Sequence, residues 1–411
     1  MYLLARLLRN LTRIGRLTAI DAAGRRHVFE GLPGPEATIR FHDRLAEWLL
    51  FANPRLYLGE LYMDGRITIE QGELYDFLDW AGRNLQRIEQ ERRYFRATPP
   101  WLAKIVRYVQ QYNPVVRARR NVAHHYDLSD TLYDLFLDSD RQYSCAYFTS
   151  DNDTLEAAQD NKKRHIAAKL MLKPGVRVLD IGSGWGGLGI YLAKVGAGEV
   201  VGVTLSEEQH KVSNERATKE GLGAHARFFL RDYRQQEGQF DRVVSIGMFE
   251  HVGVIHYDQF FAKLRDLLTD DGVALLHSIG RSDGPGVTNP WLRKYIFPGA
   301  YAPALSEVLP AVERAGLWVT DIEILRFHYA DTLREWRLRF ARHRDRIKAL
   351  YDERFCRMWE FYLAGCEMAF RYEAQMVFQM QLAKRADTVP LARDYIHQWE
   401  MENAGRGNLA V

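Results

Sequence analysis

Apolar positions along this 411-residue chain follow two rhythms, and the change between them divides it. At the start, Leu4, Leu7, Leu8, Leu11 and Ile14 share one side of a helix while Arg6, Arg9, Arg13 and Arg16 take the other, which predicts a basic amphipathic helix. Such a helix either packs on its own domain with solvated arginines or lies on anionic lipid. Residues 21–90 then mix strand-like "ATIRFH" and "RITIE" with helical "DRLAEWLLF" and "ELYDFLDWAGRNLQRIEQERR", a small α+β module. Residues 91–120 join a Pro-Pro break to aromatics and many arginines and read as a basic connector. The expected boundary lies near 117, giving domains 1–117 and 118–411.

From about residue 175 short apolar runs alternate with helical periodicity: "VRVLDI", a helix to about Val195, "EVVGVTL", a helix from Ser206, "ARFFL", "FDRVVSIG", "YDQFFAKLRDLL" and "GVALLHSIG". This alternation predicts a doubly wound parallel sheet with helices on both faces. "LWVTDIEIL", a long Pro-free helical stretch from Asp331 to about Ala374 and a last strand "MVFQMQLA" follow.

Composition narrows the class without naming it. Hydrophobic content of 47% with 27% charge suits a globular protein of two domains, and no run of 18 uncharged apolar residues offers a transmembrane helix. A net charge of +3 is too small to imply nucleic acid. Cys145, Cys356 and Cys366 lack any C-x-x-C spacing, so neither a disulfide framework nor a zinc ribbon is expected, and a reducing cytosol fits.

The first strand of the alternating region ends in "VLDIGSGWGG". Gly182, Gly184 and Gly187 spell the dinucleotide fingerprint, while Asp180 makes the same stretch read as the turn in which S-adenosylmethionine (SAM) enzymes let bare backbone approach the methionine part. An NAD site expects an acid at the end of the second strand, where this chain has Thr204. SAM is favoured, with NAD the alternative at this point. Ser206 and Gln209 form a capping box, so Gln209 is a helix cap as much as a candidate ribose contact. Asp232 and Tyr233 follow the third strand, where such folds meet the adenine. The order of elements matches a seven-strand class I SAM-methyltransferase sheet, Rossmann-like, closed by a late antiparallel strand beside a smaller N-terminal α+β domain.

Ligands in open parallel sheets sit beyond the carboxyl ends of the strands. Glu250 after the fourth strand and His277 on the fifth land there by position, and the bland alternative for each is a polar side chain satisfied by its surroundings. Cys145, Glu250 and His277 are too dispersed for a metal, and none is expected. In "NPWLRKYIFPGAYAP" the mixture of Trp291, Arg293, Lys294, Tyr295 and Phe297 reads as an interfacial, lipid-facing surface.

The segments "HHYDLSDTLYDLFLD", "YSCAYF", "TLEAAQDNKKRHI", "LKPGVRVLDIGSGWGG", "GVTLSEEQ", "FDRVVSIGMFEHVG", "LLHSIG", "WLRKYIFPGA" and "FCRMWEFYLAGCEMAFR" run in order across roughly residues 120–385. On them the chain resembles the cyclopropane-fatty-acyl-phospholipid synthase family, relatives of the mycolic acid methyltransferases. Its first 117 residues resemble the accessory domain of the longer bacterial synthases, implicated in lipid binding and dimer formation, with "GELYMDG" the clearest piece. The resemblance implies methylene transfer from SAM to the cis double bond of a phospholipid acyl chain, with a bound bicarbonate as base. It carries bicarbonate ligands onto Cys145, Glu250, His277, Ile279 and Tyr329, with Cys145 and Ile279 acting mainly through backbone groups. It carries SAM contacts onto Tyr143, Ser144, Gly182, Gly184, Thr204, Leu205, Gln209 and Tyr233. Cys366 of "YLAGC" matches a position sometimes labelled an active-site cysteine, though this chemistry needs no thiol. The expected protein is a cytoplasmic homodimer, peripheral on the inner face of a membrane with unsaturated acyl chains. The alternatives are a sister enzyme of the same fold giving a methyl- or methylene-branched chain, and a catalytically idle lipid- or SAM-binding protein.

Overall fold

The computed structural model describes residues 1–92 and 129–405. The expected boundary near 117 and most of the basic connector lie outside the described residues. Those described fall into two compact units, one of 1–92, 288–298 and 330–375, the other of 129–287, 299–329 and 376–405. The division is therefore not a single cut. Segments that the sequence reading assigned to the catalytic domain belong to the first unit, because the helix Glu353–Tyr372 buries Ala364 and Met368 in that unit's core.

The first unit is built on a four-stranded sheet of order β2-β1-β3-β4, with β1 Ile14–Ile20, β2 Arg26–Glu30, β3 Leu32–Phe41 and β4 Ile67–Gln71. The N-terminal helix ends at Leu11, not beyond Ile14 as its periodicity predicted. Thr12 turns extended, and Asn84 Oδ1 takes the N–H groups of Arg13 and Ile14 at 2.7 and 3.0 Å, drawing the chain into β1. Gly15 allows this with φ of +78°, where a Cβ would strike the carbonyl of Pro35. The long helical stretch is three helices, His328–Arg342, Arg344–Leu350 and Glu353–Tyr372. Asp352 starts the last, its Oδ1 accepting from Phe355 N at 2.7 Å. Trp291 is a core residue and not a lipid-facing one: it is 1% exposed, meets Phe361 edge-on at 4.8 Å and lies so close to Gly59 that a Cβ there would collide with its indole. That departs from the interfacial reading because only one side of the short helix Pro290–Tyr295 is polar.

The second unit carries the expected seven-strand sheet. Its strands are β5 Arg177–Ile181, β6 Glu199–Thr204, β7 Ala226–Leu230, β8 Phe240–Ile246, β9 Leu268–Arg281, β10 Trp318–Ile324 and β11 Gln375–Ala383, in the order β10-β11-β9-β8-β5-β6-β7. Neighbours among β5 to β9 are parallel, and β10 and β11 are antiparallel. One face packs the helices Tyr257–Leu267 and Leu305–Arg314 through Phe260, Phe261, Val308 and Ala311. The other packs Leu155–Lys169, Gly187–Lys194 and Glu207–Lys219 through Ile166, Leu188, Leu192 and Ala217. With both faces covered, the strands read as continuous apolar runs, and polar side chains appear where the strands end. Among the described residues no helix is long and apolar enough to cross a membrane.

Candidate active site

β5 delivers Asp180 and then turns through Gly182, Gly184 and Gly186, with φ of +82°, +55° and +83°. Only glycine takes that left-handed backbone without strain. At Gly182 a Cβ would press on Met248 at 2.8 Å, whereas Gly184 faces open space and leaves its backbone bare. Gly187, the last glycine of the dinucleotide pattern, serves packing instead: a Cβ there would meet the Gln142 amide and the Asp140 carboxylate. Gly182, Gly184, Thr204, Leu205, Gln209 and Tyr233 line a single cleft together with Met248 and His251. Six of the eight expected SAM contacts thus converge. The other two, Tyr143 and Ser144, lie on the loop next to Gln142.

The end of β6 shows why an acid is dispensable there. Thr204 Oγ1 donates to Gln209 Oε1 at 2.9 Å, which leaves the Gln209 amide NH2 available to a ligand oxygen. Ser206 Oγ accepts from Gln209 N at 3.3 Å, so Gln209 takes part in a helix cap through its backbone and lines the cleft through its side chain. Asp232 is occupied by its own turn, accepting from Arg234 N at 2.9 Å and pairing with the Arg234 guanidinium.

At the carboxyl ends of β8 and β9 a second group forms. Glu250 is buried, its Oε1 accepts from Ile279 N at 2.7 Å, and its Oε2 has no partner. Burial pushes its carboxyl up to about 7, so near neutral pH it holds a proton part of the time. Ile279, expected to act through its backbone, spends its N–H on Glu250. His277 is buried on β9 and pushed down to about 3 by burial, with Lys162 next among the causes, so the ring is neutral. Gln379 Nε2 on β11 lies 3.2 Å from His277 Nδ1. An amide NH2 only donates, so Nδ1 accepts and the ring proton sits on Nε2, making His277 a hydrogen-bond donor.

Cys145 is 1% exposed and its thiol is turned to the Ala146 carbonyl at 3.3 Å, so it offers no thiolate. Tyr329 is buried in the first turn of His328–Arg342. Cys366 belongs to the first unit, away from the elements that carry the other candidates, and burial pushes its thiol up to about 12. A thiol held there is inert near neutral pH. Sequence reasoning missed Gln379 and Lys162. Lys162 is fully buried on Leu155–Lys169, one helical turn after Gln159, and both hold the loop that carries Tyr143 and Ser144.

The site tolerates the groups expected of it. Asp180 Oδ2, Ser183 Oγ and Glu250 Oε2 are buried polar atoms without partners, and burying such atoms is costly unless a ligand completes them. Residues 114–380 match the family model described as mycolic acid cyclopropane synthetase. The chain is 43% identical over 260 residues to the cyclopropane-fatty-acyl-phospholipid synthase of Escherichia coli K12, covering 63% of this chain and 66% of that protein. It is 40% identical over 281 residues to the tuberculostearic acid methyltransferase UfaA1 of Mycobacterium tuberculosis, covering 65% of this chain and 66% of the relative. The matches thus span just under two thirds of these relatives' length. Among solved structures, mycolic acid cyclopropane synthase CmaA1 complexed with SAH and CTAB is similar with a TM-score of 0.62 and 34% identity, covering 66% of this chain and 98% of that one.

Proposed function

This chain belongs to the mycolic acid cyclopropane synthetase family, and from that premise we propose that it transfers a methylene group from SAM to the cis double bond of an acyl chain in a membrane phospholipid, closing a cyclopropane ring. The observation that carries the reading is the pairing of a bare glycine turn after β5 with a buried carboxyl and a neutral histidine at the adjacent ends of β8 and β9.

SAM, when bound, supplies an electrophilic methyl group. The chain's part is to hold that group against a weakly nucleophilic alkene and to keep water away, which is chiefly a matter of positioning. Gly182 and Gly184 offer backbone, and Gln209 offers an amide to the ribose side of the cleft. A base must then take a proton from the transferred methyl. Bicarbonate would supply it, held by His277, Glu250, Tyr329 and backbone groups at Cys145 and Ile279. Its fit rests on two donors: the Nε2–H of neutral His277 and the protonated form of Glu250. An ionised Glu250 would repel the same anion, so the raised pKa suits this place.

The phospholipid partner is supported by the first unit. The helices Tyr2–Leu11 and Arg44–Ala52 share a groove lined by Tyr2, Leu3, Arg44, Trp48 and Phe51. Leu7, Leu45 and Trp48 are 41%, 55% and 60% exposed, and exposed Arg6, Arg9, Arg44 and Arg55 form no ion pair among the described residues. Aromatic and aliphatic side chains set among unpaired arginines suit an anionic lipid surface.

The test incubates purified protein with SAM and liposomes of cis-monounsaturated phospholipid and analyses the released fatty acids by gas chromatography and mass spectrometry. The expected product is heavier by one CH2 and co-elutes with a cyclopropane standard. A branched product would assign the sister activity, and SAM binding without any lipid product would favour the idle binder.

A further inference from the structure

Lys162 is a buried cation without a salt bridge. It is 1% exposed, and its ammonium donates to two neutral atoms, Gln142 Oε1 at 2.7 Å and Ser144 Oγ at 2.8 Å, with no carboxylate within ion-pairing distance among the described residues. A methionine or leucine would fill the space without the cost of desolvating a charge. The surrounding grip is already provided by Gln159, whose Nε2 donates to the carbonyls of Gln142 and Ser144 at 3.1 and 3.0 Å. The charge on Lys162 therefore calls for a reason beyond holding the loop.

That reason lies in the direction of one proton. An ammonium can only donate, so Ser144 Oγ must accept from it, and the hydroxyl proton of Ser144 is left to point at something else. Ser144 is half-buried and its hydroxyl makes no other bond. The loop it sits on packs against Gly187 at the start of the helix that follows the glycine turn. On the same turn Asp180 keeps Oδ2 without a partner, and the field of Lys162 reaches it. A hydroxyl donor backed by a cation and an unpartnered carboxyl oxygen near one another form a complementary pair for a zwitterion.

We infer that Lys162 is a positioning residue for the amino-acid end of SAM: it fixes Ser144 as a hydroxyl donor to the cofactor's carboxylate and supplies the balancing positive charge, while Asp180 faces the α-ammonium. The inference rests on reading the cleft as a SAM site, and the experiment separates the two. Calorimetric titration of the full chain is made with SAM and with decarboxylated SAM, for the wild type and for Lys162→Met, Lys162→Arg, Ser144→Ala and the double variant Lys162→Met/Ser144→Ala. Lys162→Met and Ser144→Ala are each expected to weaken SAM by about tenfold to a hundredfold, the loss of one charge-assisted hydrogen bond. Neither should change the affinity for decarboxylated SAM. The double variant should be no weaker than the worse single one, since the two residues act as a unit, and Lys162→Arg should restore part of the loss.

Equal losses for both ligands, or no loss for SAM, would overturn the inference. Should Lys162→Met fail to fold in a thermal melt, Ser144→Ala with the two ligands and Lys162→Arg still decide. A wild type that binds neither ligand would instead overturn the cofactor reading itself.

Discussion

The carboxyl edge of the second unit's sheet and the helix pair at the start of the first unit depart from ordinary burial in opposite senses. At the sheet edge Asp180, Glu250 and Gln379 are buried with a polar atom left unpartnered. On the helix pair Leu45, Trp48 and Tyr2 are uncovered, and the arginines around them are unpaired. Each arrangement costs stability in the isolated chain, one through desolvation and one through exposed apolar area. Each cost falls when a different kind of ligand arrives: a small polar one at the sheet edge, an anionic amphiphile at the helices. Separate features of the chain thus carry chemistry and docking, and substitutions should separate them too.

The largest expected effect breaks the first feature alone. Glu250→Gln should cut turnover roughly 10²- to 10⁴-fold, the usual contribution of an acid–base group, while calorimetric SAM affinity stays near wild type. Full turnover in that variant would remove Glu250 from the mechanism.

Next in size is the second feature. Replacing Arg6, Arg9 and Arg44 together with Gln should weaken co-sedimentation with anionic liposomes on the order of a hundredfold, at about 1 kcal/mol for each cation near the surface. SAM affinity should not move, and raising the salt should erase the difference between variant and wild type. Unchanged sedimentation would refute docking through this face.

The smallest effect sharpens what burial does at the sheet edge. Burial holds Asp180 and Glu250 at about 7, above model values of 3.8 and 4.5. Folded-state values above the unfolded ones mean that the stabilisation from these groups is complete below about pH 4 and is lost as pH rises through about 7. Asp180→Asn has no such proton to lose. Denaturant melts of the ligand-free protein between pH 4 and 8 should therefore give a shallower decline for the variant. Parallel curves would mean that Asp180 is not desolvated as the structure has it.

Much of the second unit could be read from the chain because its signals are local. The period-two to period-3.6 alternation gave the order of strands and helices, and Glu250 and His277 stood out merely by following strands. Gln379 could not be found this way: it meets His277 across 102 residues, and only the insertion of β11 between β10 and β9 makes them neighbours. Lys162 looked like one charge among several on a polar helix, and nothing local marks it as the buried one. The start of the chain misled for a related reason. Leu and Arg alternate there in a way that suits a helix to Arg16, but the backbone N–H groups after Thr12 find Asn84, a partner about 70 residues on, and the chain becomes β1.

By itself the sequence determined what depends on near neighbours: the glycine turn with its preceding Asp180, the Ser206 cap, and the alternation that demands a sheet covered on both sides. Tertiary structure alone decided which polar groups lose water and which keep it. Desolvation depends on everything packed around an atom, not on the residues beside it in the chain. That is why Trp291 went into a core, Trp48 stayed outside, and Glu250, His277 and Lys162 came to differ from ordinary surface residues of their kind.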